Sequence, residues 1–136
     1  MQVEKNLHIA ASPETIWKAL TDPQLTKQYF FGCEAVSDWK AGSPLHYQTV
    51  MEGTATVHVK GVIRAIEPER YLETTCYAPD NEGIPDKETV ATYTLTRDGA
   101  QLRVTQGDFS DEGTFQETQT SWDMVLNGLK QLVETA

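Results

Sequence analysis

Cysteine is scarce in this 136-residue chain: Cys33 and Cys76 stand far apart, without C-x-x-C spacing, which suits reduced thiols rather than a disulfide framework. No apolar run approaches the length that spans a membrane. Positive charge is also in short supply, with 11 Lys and Arg against 20 Asp and Glu and a formal net charge of -9. The basic residues are scattered singly, so nucleic acid and an anionic bilayer would both be repelled. The opening "MQVEKNLHIAAS" lacks the apolar centre of a signal peptide, and a cytoplasmic location is expected. There is no G-x-S-x-G, no H-E-x-x-H, no phosphate-binding glycine loop and no dinucleotide fingerprint, so enzymatic activity has no support in the residues and no cofactor is expected. What is present is 39% hydrophobic and 9% aromatic, too rich for a disordered chain, and residues 1–136 have the length of one domain.

The apolar periodicity changes along the chain. In "QVEKNLHI", Val3, Leu7 and Ile9 share a parity, as in a strand with one buried face. Ser12 then offers a cap and Pro13 fits a first helical turn, with Ile16, Trp17, Ala19 and Leu20 as the apolar side. Asp22-Pro23 repeats that grammar and predicts a second short helix ending near "YFFG". Further on, a three-residue loop Met51-Glu52-Gly53 sets Leu45 opposite Val59, Tyr47 opposite Val57 and Thr49 opposite Ala55, with His46 opposite His58 and Gln48 opposite Thr56 on the polar face. Asp98-Gly99 marks a second hairpin that pairs Leu95 with Leu102 and Tyr93 with Val104. Between the hairpins, "EPER" joins two strands whose inner side takes Ile63, Ala65, Leu72, Thr74 and Cys76, and "APDNEGIPDK" reads as an exposed loop. The sum is an antiparallel sheet of six or seven strands. The long amphipathic segment able to cover it is C-terminal, where Thr118, Trp122, Val125, Leu129 and Leu132 or Val133 recur at helical steps. Gly128 lies inside this pattern, which a close backbone approach would explain.

This order of elements resembles the α+β helix-grip fold of the START/Bet v 1-like (SRPBCC) superfamily, a curved sheet wrapped around a C-terminal helix. "ASPETIWKALTDP" resembles its first-helix signature and "DWKAGSPLHY" its following turn and strand. "GVIRAIEPERYLETT" and "SWDMVLNGLKQLVE" are similar to the branch named for the activator of the 90-kDa heat-shock protein ATPase, with Trp122 at the place of a characteristic tryptophan. The chain departs from that branch in having Gly42-Ser43 where paired glycines are frequent, and "QYFFGC" where a tryptophan is frequent.

The resemblance implies a cavity between helix and sheet for a small hydrophobic, aromatic or lipid-like molecule, bound without catalysis. Its expected walls are Tyr47, Thr49, Val57, Thr74, Cys76 and Tyr93 from the sheet and Thr118, Trp122 and Val125 from the helix, with Phe30 guarding one end. Tyr47, Thr49, Thr74 and Tyr93 place hydroxyls at inner parity, where a dry core would use Val or Leu. Those same residues could instead simply fill the core. The branch name implies the alternative of a chaperone-interacting module, although in the namesake a further N-terminal domain is present for which 136 residues leave no room. A cyclase or hydrolase using the same cavity is a third reading. His46 and His58 lack further zinc ligands, and no metal is expected. Asp108, Asp111 and Glu112 form an acidic loop that nothing in the sequence buries, so it lacks what acid–base chemistry needs.

Overall fold

A computed structural model describes residues 1–84, 87–96 and 101–135 of the chain. Its elements are β1 (Val3–His8), α1 (Pro13–Thr21), α2 (Pro23–Thr26), β2 (Glu34–Ser37), β3 (Pro44–Met51), β4 (Thr54–Glu67), β5 (Tyr71–Cys76), β6 (Thr89–Leu95), β7 (Gln101–Gly107) and α3 (Glu112–Glu134). The strands form a seven-stranded antiparallel sheet in the order β1-β7-β6-β5-β4-β3-β2, curved around α3. This is the helix-grip arrangement. Among the described residues, no helix is long and apolar enough to cross a membrane.

The helix starts follow the capping logic of the sequence. Ser12 accepts from the Thr15 amide at 3.2 Å, and Asp22 accepts from the Gln24 amide at 2.8 Å, each followed by a proline that has no amide to satisfy. The second helix is shorter than expected. It gives way after Thr26 to three-residue turns, such as Gln28 N–H to Leu25 carbonyl, and the chain then reverses through the left-handed Phe31 and Gly32.

The hairpin registers separate into one that matches and one that does not. Asp98 and Gly99 lie outside the described residues, but the strands flanking them pair Leu95 with Leu102 and Tyr93 with Val104, as expected. The β3–β4 register is different. Glu52 takes φ 52 and Gly53 φ 78, a two-residue turn, so Thr49 faces Thr56 and Gln48 faces Val57. An extra residue, His58, then bulges out of β4 and resets the pairing, so that Tyr47 faces Val59, His46 faces Lys60 and Leu45 faces Gly61. His46 and His58 are therefore not partners, and His58 instead lies 2.8 Å from the Thr49 hydroxyl. A second irregularity, at Arg64, sets Ala65 opposite Glu73 rather than on the inner side, and Ile66, opposite Leu72, packs on the core in its place.

The core lies between the concave sheet and α3. Val3, Ile9, Ile63, Leu72, Leu102 and Val104 meet Trp122, Val125, Leu126, Leu129 and Val133 of the helix. α3 is tied down near its C-terminal end by Lys130, whose ammonium donates to the His8 carbonyl at 2.7 Å, and by Glu134, which accepts from the Ala10 amide at 2.8 Å. Gly128 marks its closest approach to the α2–β2 segment. A β-carbon there would stand 2.8 Å from Cβ of Tyr29, an atom that no side-chain rotation can move away. Gly128→Ala should therefore destabilise by about 1–3 kcal/mol, overpacking outweighing a helix-propensity gain of about 1 kcal/mol. Thermal unfolding that showed a more stable variant would refute the close approach.

Candidate ligand site between the closing helix and the sheet

The residues expected to line one cavity fall into three groups, two that line separate spaces and one that lines neither. Phe30, Tyr47, Tyr93, Trp122 and Val125 come together beneath the middle of α3, with Tyr29, Leu126 and Leu129, around a void of about 10 Å³. That is at the threshold for a single water. Phe30 stacks on Tyr47 with ring centroids 4.6 Å apart, and Trp122 forms T-shaped pairs with Phe30 at 6.2 Å and Tyr93 at 5.8 Å. The interior walls are thus present, and their own rings fill the space between them.

Open space lies instead at the mouth of the grip, where α3 begins. A cleft of about 280 Å³ runs between the start of α3 and the ends of β4–β7 and is lined by Cys76 and Thr118 of the expected set. Val59, Ala78, Thr89, Phe109 and Thr114 add to the wall, and the exposed His58, Lys87, Asp108 and Asp111 form its rim. Thr49, Val57 and Thr74 line neither space. Thr49 is engaged with His58, Val57 is set opposite Gln48 by the two-residue turn, and Thr74 is buried with its hydroxyl 3.5 Å from the Cys76 sulfur.

Gln106 was not foreseen, yet it connects the two spaces. The indole N–H of Trp122 donates to Gln106 Oε1 at 2.8 Å, and Gln106 Nε2 donates to the Thr89 hydroxyl at 2.9 Å. Since Gln106 and Thr89 line the cleft and Trp122 lines the interior void, the indole and this amide form the partition between them. Gln106 sits at inner parity on β7 with Val104, a polar residue among apolar ones, which is the signal that would have found it. The acidic loop also has a different use. Asp111 is the N-cap of α3, its carboxylate accepting from the Thr114 amide at 2.8 Å and hydroxyl at 2.7 Å, while Asp108 pairs with the N-terminal ammonium and Glu112 opens the helix.

Burial pushes the thiols of Cys33 and Cys76 up, which keeps them protonated and poorly nucleophilic. Burial likewise raises Tyr47 and Tyr93, so both stay neutral phenols able to donate. Hydrogen bonds from Thr114 hold the Asp111 carboxyl below its usual range, the Ala10 amide and Lys130 do the same for Glu134, and Arg103 does so for Glu4. Carboxyls depressed on folding stabilise above their unfolded values near about 4, and that contribution is lost as pH falls through the folded values. Acid should therefore loosen both ends of α3. Asp111→Ala should lower the melting temperature by a few degrees at neutral pH and by less in acid, where the wild-type cap is already protonated; an equal effect at both pH values would contradict the cap's role.

Known proteins agree with this architecture. A protein from Cytophaga hutchinsonii, solved in solution, is 27% identical with a TM-score of 0.76 over 99% of this chain and 94% of its own. A crystal structure of a protein from Mesorhizobium loti is 22% identical with a TM-score of 0.77, covering 100% of this chain and 98% of that one. The solution structure of the Aha1 dimer from Colwellia psychrerythraea is 18% identical with a TM-score of 0.75, over 98% of this chain and 96% of that one. No protein of curated function matches significantly. The family model described as Activator of Hsp90 ATPase homolog 1-like protein matches residues 10–134, nearly the whole length, and the chain belongs to that family.

Proposed function

We propose that this protein binds a small hydrophobic or aromatic molecule with a polar edge between α3 and the concave sheet, without covalent chemistry, and that the molecule enters at the mouth. The supporting observation is the open cleft of about 280 Å³, in which Val59, Cys76 and Phe109 alternate with the hydroxyls of Thr89, Thr114 and Thr118. A volume just under the usual range for ligand pockets suits a compact ligand held by dispersion and oriented by one or two hydrogen bonds. In a thermal-shift screen of small aromatic and apolar compounds, a true ligand at one hundred times its Kd adds about 2.7 kcal/mol of stability. Thr118→Trp, which fills the cleft from the half-buried side of α3, should abolish that gain while leaving the fold intact. Binding that survives this substitution, or no stabilisation across the panel, would count against the site.

The second reading is a chaperone-interacting module, supported by the family description and by the Aha1 dimer among the structural neighbours. Val36, Pro44 and Val62 stand exposed on the outer face of β2, β3 and β4, away from the cleft, and would serve such a contact. Stimulation of a 90-kDa chaperone's ATPase that is lost in Val36→Asp and kept in Thr118→Trp would favour it over ligand binding.

A further inference from the structure

Phe30 differs from the other interior rings in what carries it. Tyr47 stands on β3, Tyr93 on β6 and Trp122 on α3, whereas half-buried Phe30 lies on the irregular segment between α2 and β2. Its backbone is fixed at both ends, its N–H donating to the Thr26 carbonyl at 2.8 Å and its carbonyl accepting from Cys33 N–H at 2.8 Å. The ring itself is held by packing, parallel to Tyr47 within 19° and edge-on to Trp122. A rotation about its side-chain torsions would empty the space without breaking a backbone hydrogen bond.

The hydroxyls facing that space are poorly served. Those of Tyr47 and Tyr93, residues 6% and 5% exposed, lie 3.5 Å apart, and among the described residues neither has another hydrogen-bond partner. Hydroxyl pairs normally close to about 2.7–2.8 Å. Two donors therefore share one long contact, and among the described residues one buried proton has no acceptor. The neighbouring Tyr29 hydroxyl is already committed, donating to the Ala19 carbonyl at 2.6 Å. A phenylalanine ring offers Tyr47 and Tyr93 nothing.

We propose that the Phe30 ring sits in a subsite for an aryl carbonyl compound, whose ring stacks on Tyr47 in its place and whose oxygen accepts from the hydroxyls of both Tyr47 and Tyr93. One carbonyl oxygen has the two lone pairs that two donors require. The assignment rests on the ligand-binding reading above and adds the class of ligand and the side chain that must yield to it.

Acetophenone and ethylbenzene, similar in shape and differing in the acceptor, are the probes, followed by NMR titration of the full chain. Acetophenone should bind the wild type and move the Phe30 ring resonances toward those of an exposed phenylalanine. Phe30→Ala should tighten it at least about tenfold by removing the competing ring. That variant should prefer acetophenone to ethylbenzene by at least about tenfold, and Tyr47→Phe or Tyr93→Phe should reduce the preference below about threefold. A folded Phe30→Ala protein that binds acetophenone no tighter than wild type, or no better than ethylbenzene, would overturn the assignment. Phe30→Leu takes the same test if the alanine variant lacks a dispersed spectrum. A screening hit lost in Thr118→Trp but indifferent to Phe30→Ala would overturn the subsite alone and leave mouth binding standing, whereas no binding by any of these proteins would remove both.

Discussion

Gly61→Ala is expected to destabilise the protein by more than about 3 kcal/mol and to lower its melting temperature by more than about 10 °C. Gly61 is buried in β4, opposite Leu45 of β3, at the point where the strand passes from pairing with β3 to pairing with β5. A β-carbon there would lie 1.8 Å from the backbone carbonyl oxygen of Thr75, less than any non-bonded contact permits. The obstructing atom belongs to a strand, so relief requires β4 and β5 to part. Parting them breaks the paired Lys60 and Tyr77 backbone hydrogen bonds, both 2.9 Å, and the bond from Val62 N–H to the Thr75 hydroxyl, also 2.9 Å. Gly53→Ala is the control, because Gly53 sits in the hairpin turn at φ 78 with nothing within 4 Å of an added β-carbon. Its cost is left-handed strain alone, about 1–2 kcal/mol. If Gly61→Ala unfolded within a few degrees of wild type, or no lower than Gly53→Ala, the close approach of β4 to β5 would be wrong.

Trp122→Ala should cost about 3–5 kcal/mol. The indole is 6% exposed, packs T-shaped against Phe30 and Tyr93, and donates its N–H to the Gln106 carbonyl oxygen at 2.8 Å. Removing it opens the interior void to the cleft, since the indole is part of the wall between them. The variant should therefore melt more than about 10 °C lower, and apolar guests such as benzene should recover part of the loss by filling the new space. Trp122→Phe keeps most of the packing and loses the hydrogen bond, so it should fall between wild type and alanine. Denaturation that found Trp122→Ala as stable as wild type would mean that α3 does not seat on the sheet through this residue.

Much of the architecture can be read from local pattern because local chemistry decides it. Ser12 and Asp22 cap helices as their sequence neighbours suggest, and the α3 stripe at Trp122, Val125, Leu129 and Val133 is the buried one. The pairing of Leu95 with Leu102 follows from hydrophobic parity. The β3–β4 register was less accessible, because Glu52, a residue that seldom adopts positive φ, does so and shortens the turn by one residue. A bulge at His58 then restores the inward set that the shorter turn had displaced. Either departure alone would break the hydrophobic pattern, and only together do they pair Tyr47 with Val59.

The site was legible as a list of walls and illegible as a space. Parity identifies Tyr47, Tyr93, Trp122 and Val125 as interior, but whether they enclose a void depends on summed side-chain volumes and on Phe30, which comes from an irregular segment with no periodicity to read. The mouth cleft is built largely from residues at element ends, such as Ala78, Thr89 and Thr114, whose meeting is a consequence of tertiary arrangement. Asp111 could have been recognised from its position just before an acidic residue at a helix start, a pattern that marks an N-cap as readily as an acidic loop.

The most direct measurement is a backbone-amide NMR titration of the wild-type chain with a hit from the compound screen. A ligand gripped at the mouth between α3 and the sheet should give its largest shifts at Cys76, Thr89, Gln106 and Thr118 and at the Trp122 indole N–H. Shifts confined to the outer face around Val36 and Val62, with those five signals unmoved at saturation, would contradict it.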